Sequence, residues 1–68
     1  MTVDEQFTLE EITTQLAAWL MEERRMGLRD AMACVYNSHL YSMLQDTATG
    51  LMWQSDAYLY DSLCLELE

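Results

Sequence analysis

Apolar residues recur three and four positions apart along most of this chain, and polar residues fill the intervals. Leu9, Ile12, Leu16, Trp19 and Leu20 keep helical spacing and leave Glu10, Glu11, Gln15, Glu22 and Glu23 mostly on other faces. Thr8 followed three residues later by Glu11 has the spacing of a capping box, with Phe7 placed to staple against Ile12. Arg24 and Arg25 suit the negative end of a helix dipole, and Gly27 offers a left-handed stop. This pattern predicts a helix over residues 9–26, preceded by a polar, frayed segment 1–7.

Leu28 to Tyr36 is a second, shorter helical pattern in which Leu28, Met32, Val35 and Tyr36 share a face, while Ala31 and Ala33 permit close approach. Asn37 and Ser38 interrupt it, and Ser38 can cap a third segment, His39 to Leu44, with Leu40, Met43 and Leu44 on one side. Tyr36 and Tyr41 flank this junction; a single kinked helix is the alternative. Asp46-Thr47-Ala48-Thr49-Gly50 reads as a turn, since Asp46 can accept amides ahead of it and Gly50 tolerates positive φ. Leu51, Met52 and Trp53 form an extended or turn-like apolar run expected to pack on the first helix. Ser55 then caps a last helix, Asp56 to Leu67, whose Leu59, Leu63 and Leu67 form a stripe widened by Tyr60 and Cys64.

Proline is absent and the 2 glycines fall at predicted breaks. A hairpin about Thr49-Gly50 would need longer alternating flanks than Leu51-Met52-Trp53 supplies. The expected fold is therefore all-α, a small bundle of three to four helices in a single domain spanning residues 1–68.

Composition changes the picture in one respect. A chain of 68 residues buries only about 60% of its unfolded surface, yet 51% of these residues are apolar. A partner complex or a homodimer is the expected way to cover the surplus. Charge then says what kind of partner. There are 12 Asp and Glu against 3 Arg and no Lys, a formal charge of −9. That balance disfavours direct nucleic-acid binding, which relies on cationic side chains releasing counterions, and it disfavours an anionic membrane surface. It favours a protein partner that is basic, or one with an apolar groove, approached under electrostatic steering. The plainer reading is that the acids keep an apolar small protein soluble.

No cationic, apolar leader opens the chain, and the longest apolar runs, Leu16 to Met21 and Ala31 to Tyr36, span 6 residues, far short of a membrane crossing. A cytoplasmic protein without membrane association is expected, with Cys34 and Cys64 reduced rather than paired.

Candidate chemistry is sparse. Cys34, His39 and Cys64 lack the paired spacing of a structural zinc site, so the cysteines read as small buried hydrophobes and no metal or cofactor is expected. His39 is the single histidine, and Ser38, Ser42, Ser55, Cys34 and Cys64 are equal candidates beside it. No nucleophile is thereby indicated, and a non-enzymatic protein is expected. Glu22-Glu23-Arg24-Arg25 reads as a solvated helix end more readily than as an epitope. Met21, Met26, Met32, Met43 and Met52 fill core gaps or line an adaptable interface. Trp19 and Trp53 are the candidate interface anchors, with at least one expected in the core. Asp56 and Asp61 are the candidate steering carboxylates. An alternative is that Asp46, Asp56, Asp61, Glu66 and Glu68 imitate DNA phosphates and block a nuclease or defence complex, which requires them on one face.

Tyr36-Asn37-Ser38, Leu40-Tyr41, Leu44, Asp46, Thr49-Gly50-Leu51, Trp53-Gln54-Ser55 and Tyr58-Leu59-Tyr60 followed by Leu63 resemble a small bacterial family of unknown function. That family is associated with gut Firmicutes and with neighbourhoods of toxin–antitoxin-like genes. The similarity covers the C-terminal half; the first helix matches only in amphipathic character, and Met52 departs from the pattern. The resemblance implies an antitoxin-like or regulatory partner protein; taken with the composition, a bacterial or phage-derived protein that acts by occluding its partner is expected. The resemblance carries no catalytic residue. Its motif consists of caps, turns and packing positions, which describe a fold more than a function.

Overall fold

The computed structural model describes residues 3–67. Four helices make up the chain, with no strand among the described residues: α1 (Val3–Glu23), α2 (Leu28–Tyr36), α3 (His39–Gln45) and α4 (Asp56–Leu67). Two 3-10 turns, Thr47–Thr49 and Leu51–Trp53, connect α3 to α4. α1 is the backbone of the bundle. It packs against α2, α4 and the Leu51–Trp53 turn, while α3 packs mainly against α4 and the two turns.

α1 begins earlier than its capping-box signature predicts. Val3 to Phe7 are already helical, Asp4 and Glu5 occupy the first turn, and Thr8 lies inside the helix rather than at its cap. There its hydroxyl donates to the Asp4 carbonyl at 3.0 Å, as Thr13 does to Leu9 and Thr14 to Glu10. A hydroxyl returned to its own preceding turn removes the reason for threonine to leave a helix, and acids in the first turn complement the dipole. Phe7 is 61% exposed, so the expected staple on Ile12 is absent. Met1 and Thr2 lie outside the described residues.

α1 also ends sooner. Arg24 and Arg25 follow the last helical turn, and the left-handed residue is Arg25 (φ 55°), not Gly27. Gly27 instead is extended (φ −70°, ψ 162°) and starts α2, its carbonyl accepting the Ala31 amide at 2.9 Å. The reversal falls at residue 25 because Met26 must turn inward: it packs against the core, and the Cys34 thiol donates to its sulfur at 3.8 Å.

The other boundaries follow local chemistry. Asn37 closes α2, its amide reaching the Ala33 carbonyl at 3.0 Å. Ser38 starts α3; its hydroxyl accepts the Tyr41 amide at 3.1 Å and donates to the Val35 carbonyl at 2.6 Å. The two segments are thus separate helices, bridged by an edge-to-face contact of Tyr36 and Tyr41 with centroids 5.0 Å apart. The Asp46 carboxylate accepts the Ala48 amide at 3.0 Å, and Gly50 adopts φ 69°, where a side chain is disfavoured. The Ser55 hydroxyl accepts the Tyr58 amide at 3.2 Å at the head of α4.

One cluster unites these elements. Leu9, Ile12, Leu16, Ala17 and Leu20 of α1 meet Ala31 and Val35 of α2, Leu40 and Leu44 of α3, Met52, and Leu59, Tyr60 and Leu63 of α4. On α2 the buried residues are Ala31 and Val35, whereas Leu28 and Tyr36 of the expected face are exposed. A methyl at Ala31 lets α2 lie close to α1, which tilts the larger flanking residues outward. Met52 is buried, while its neighbour Trp53 is 71% exposed.

A link between distant residues completes the bundle. Both Glu66 carboxylate oxygens accept backbone amides at the start of α3, from His39 at 2.7 Å and from Leu40 at 2.8 Å. α3 has only 7 residues, too few to persist alone. An anion at its N-terminus satisfies unpaired amides and its dipole together. Glu66 sits in the last turn of α4, where its charge is unfavourable to its own helix. Even with water competing at this exposed residue, two charge-assisted hydrogen bonds worth about 1–2 kcal/mol together outweigh a dipole term of ~0.3–1 kcal/mol.

Candidate functional site

The seam between α1 and α4 gathers five carboxylates and three aromatic side chains. Phe7, Glu11, Gln15, Trp19 and Glu23 stand at successive i+4 positions of α1, so they form one row along it. Asp56, Ala57, Tyr60 and Asp61 approach that row from α4. The early half of α1 meets Asp56 and the later half meets Ala57 to Asp61, so the two helices run in the same direction here.

Two open depressions lie along the seam. The first, about 520 Å³, is lined by Phe7, Glu10, Glu11, Thr14, Gln15 and Asp56. The second, about 210 Å³, is lined by Trp19, Glu23, Ala57, Tyr60 and Asp61. In its floor the Trp19 and Tyr60 rings pack edge to face, centroids 5.2 Å apart at 61°. Glu23 and Asp61 therefore stand beside a partly buried aromatic pair, and Glu10, Glu11 and Asp56 line the neighbouring depression.

Tyr60 holds the pair in place. The residue is 9% exposed and its hydroxyl is buried with no hydrogen-bond partner. Burial pushes its phenol well above the ordinary value of about 10, and the adjacent Glu23 carboxylate and Cys64 thiol push the same way. Proximity to these two groups disfavours ionisation without supplying an aligned hydrogen bond, so the hydroxyl remains uncompensated. Arg24 is not among the residues lining the depression, and proximity to Cys64 first and to Tyr60 second raises its own pKa. Burial likewise raises Tyr41, with Tyr36 and Glu10 adding to the effect.

Phenylalanine at position 60 is therefore expected to leave stability at neutral pH unchanged or raised by up to ~1 kcal/mol, because it removes an unpaired buried group. The wild type keeps Tyr60 protonated in the folded state after the unfolded chain has begun to ionise near pH ~10. Above that pH the native state binds more protons than the unfolded one, so stability falls as pH rises. Tyr60→Phe should delay this loss and not abolish it, since Tyr41 stays. Urea midpoints at pH 7 and pH 11 measure both effects.

Of the four residues expected from sequence to meet a partner, the structure brings Trp19 and Asp61 into one depression and sets Asp56 in the next. Trp53 lines neither and stands exposed elsewhere. Glu23 and Tyr60 were missed. The i+4 row that contains Glu23 is visible in the sequence once α1 is started at Val3, but a helix beginning at Leu9 hides its first member. Tyr60 was assigned only to packing.

A third depression, about 550 Å³, is lined by Asp30, Ala33, Cys34, Asn37, Ser38, Glu66 and Leu67. Its most prominent acid, Glu66, is already committed to the start of α3. His39 is exposed, and its backbone amide is engaged by the same carboxylate. Among the described residues, no three His, Cys, Asp or Glu side chains converge as a metal site, and no helix is long and apolar enough to cross a membrane. Comparison with family models, with curated proteins and with solved structures found no match to this chain.

Proposed function

We propose that this chain is a small non-enzymatic binding module that occludes a basic protein partner along the α1–α4 seam. The observation that carries this reading is the line of five carboxylates along the seam, two of which, Glu23 and Asp61, share a depression with the Trp19–Tyr60 pair. Acids at the rim speed encounter with a cationic surface, while a partly buried aromatic pair supplies contact energy once water is displaced. The formal charge of −9 extends the steering field beyond the seam. A toxin neutralised by an antitoxin-like protein is one partner class of this chemistry, and the resemblance of the C-terminal half points the same way.

Imitation of a phosphate array would need Asp46, Asp56, Asp61, Glu66 and Glu68 on one face. Asp56 and Asp61 line the seam, Glu66 is committed to the start of α3, and Glu68 lies outside the described residues. Such imitation has no need of an aromatic pair beside the seam acids. Occlusion of a basic protein uses both, and is preferred for that reason.

Charge reversal tests the reading. Asp56→Lys with Asp61→Lys moves the formal charge from −9 to −5, since each substitution adds two charges. With a partner captured by the wild type, association of the double variant should slow by about tenfold at low salt and lose most of its salt dependence. The pair Asp30→Lys with Glu22→Lys, both exposed, outside the two seam depressions and equal in charge change, should retain capture and most of the on-rate. Equal loss in both variants would reduce the effect to net charge and remove the seam from the account.

A further inference from the structure

We infer that the depression beside the Trp19–Tyr60 pair is a seat for a single arginine side chain of the partner, with Glu23 and Asp61 as its carboxylate clamps. This deepens the proposed function and rests on it.

Size is the first argument. At about 210 Å³ the depression is smaller than the ~300–1,000 Å³ of pockets for drug-sized ligands, and smaller than the two other depressions described above. It suits one side chain. Chemistry is the second. Aromatic rings present negative faces to a cation, and the carboxylates of Glu23 on α1 and Asp61 on α4 approach the same space from two helices.

Geometry selects between the two basic residues. A guanidinium is flat, stacks on a ring, sheds water more readily than an ammonium, and directs donors to both sides of its plane. Carboxylates contributed by two different helices suit that fork, whereas lysine, a compact and strongly hydrated charge, cannot stack on a ring while reaching both acids. The pair is also braced. Trp19 packs against Tyr60, and Tyr60 is anchored by burial in the core, so the floor does not have to order itself when the side chain arrives.

The test uses the full chain carrying Trp53→Phe, which leaves Trp19 as the single tryptophan reporter. Fluorescence titrations compare an oligoarginine peptide, an oligolysine peptide of equal length, and the oligoarginine peptide with citrulline in place of arginine. The arginine peptide should bind about fivefold more tightly than the lysine peptide, with citrulline binding lost. Glu23→Gln and Asp61→Asn, both exposed and isosteric, should each bring the arginine-to-lysine ratio close to one. Asp30→Asn, remote from the seam, should leave the ratio unchanged. Circular dichroism of each variant verifies the fold.

Equal binding of the two cationic peptides, unaffected by Glu23→Gln and Asp61→Asn, would overturn the arginine seat and leave the acidic seam standing. Failure of both peptides to bind at low salt would overturn the seat and remove support from the proposed function as well.

Discussion

Replacing Leu16 with alanine is expected to cost the folded state about 2–5 kcal/mol, the usual range for emptying a leucine-sized space in a packed core. Leu16 is fully buried midway along α1, in one cluster with Leu20, Val35, Leu59 and Leu63, none of which reaches solvent. At ~0.05–0.15 kcal/mol per residue, a domain this small has a total stability of only about 3–10 kcal/mol. Leu16→Ala therefore removes about half of it at mid-range values, and the variant should melt well below the wild type. Urea unfolding followed by circular dichroism reads this directly. Trp53→Ala is the contrast: although it deletes a larger side chain, that side chain is 71% exposed, and the expected change is within about 0.5 kcal/mol. If the two variants lost equal stability, the assignment of Leu16 to the core and Trp53 to the surface would be wrong.

The second large effect belongs to Glu66. Its two oxygens hold the His39 and Leu40 amides at 2.7 and 2.8 Å across 27 and 26 residues of sequence. Charge-assisted hydrogen bonds are worth ~1.5–3 kcal/mol each when well shielded. Glu66 is exposed, so water competes, and Glu66→Ala is expected to cost about 1–2 kcal/mol in total. Glu66→Gln keeps one acceptor and loses the charge, and should fall between alanine and wild type. The loss is local before it is global: amide exchange at His39 and Leu40 should accelerate while α1 amides retain their protection. Leu65→Ala, on an exposed neighbour, serves as control. Unchanged exchange at both amides in Glu66→Ala would show that α3 does not depend on this carboxylate.

Much of the architecture was legible because local chemistry and packing agree over residues 28–67. α2 and α4 lie where their patterns end, Ser38 and Ser55 cap as their positions suggest, and Gly50 takes the positive φ its turn requires. α1 misled for a physical reason. Thr8 and Glu11 do have capping spacing, but a capping residue is needed only where a helix must begin, and nothing in Val3 to Phe7 prevents helix. Gly27 misled similarly: it was the residue best suited to a left-handed stop, yet the inward placement of Met26 forces the turn onto Arg25.

The candidate site was legible in part. Trp19, Asp56 and Asp61 are unremarkable singly, and the structure collects them because α1 and α4 run side by side. The order of helices along a chain does not reveal which flanks meet. Trp53 was read as an anchor from residue type alone, and its neighbour Met52 is the one that enters the core. The Glu66 link had no local signal, since the spacing between a carboxylate and a helix start it serves is set by the whole fold.

The central claim is that the α1–α4 seam, with its aromatic floor between acids, receives a cationic partner. Mapping backbone amide shifts of the isotope-labelled protein during titration with oligoarginine tests it most directly. The account predicts the largest shifts at Trp19, Glu23, Ala57, Tyr60 and Asp61, with smaller ones at Glu11 and Asp56. Shifts spread evenly over the acidic residues, or concentrated around Asp30, Asp46 and Trp53, would contradict it.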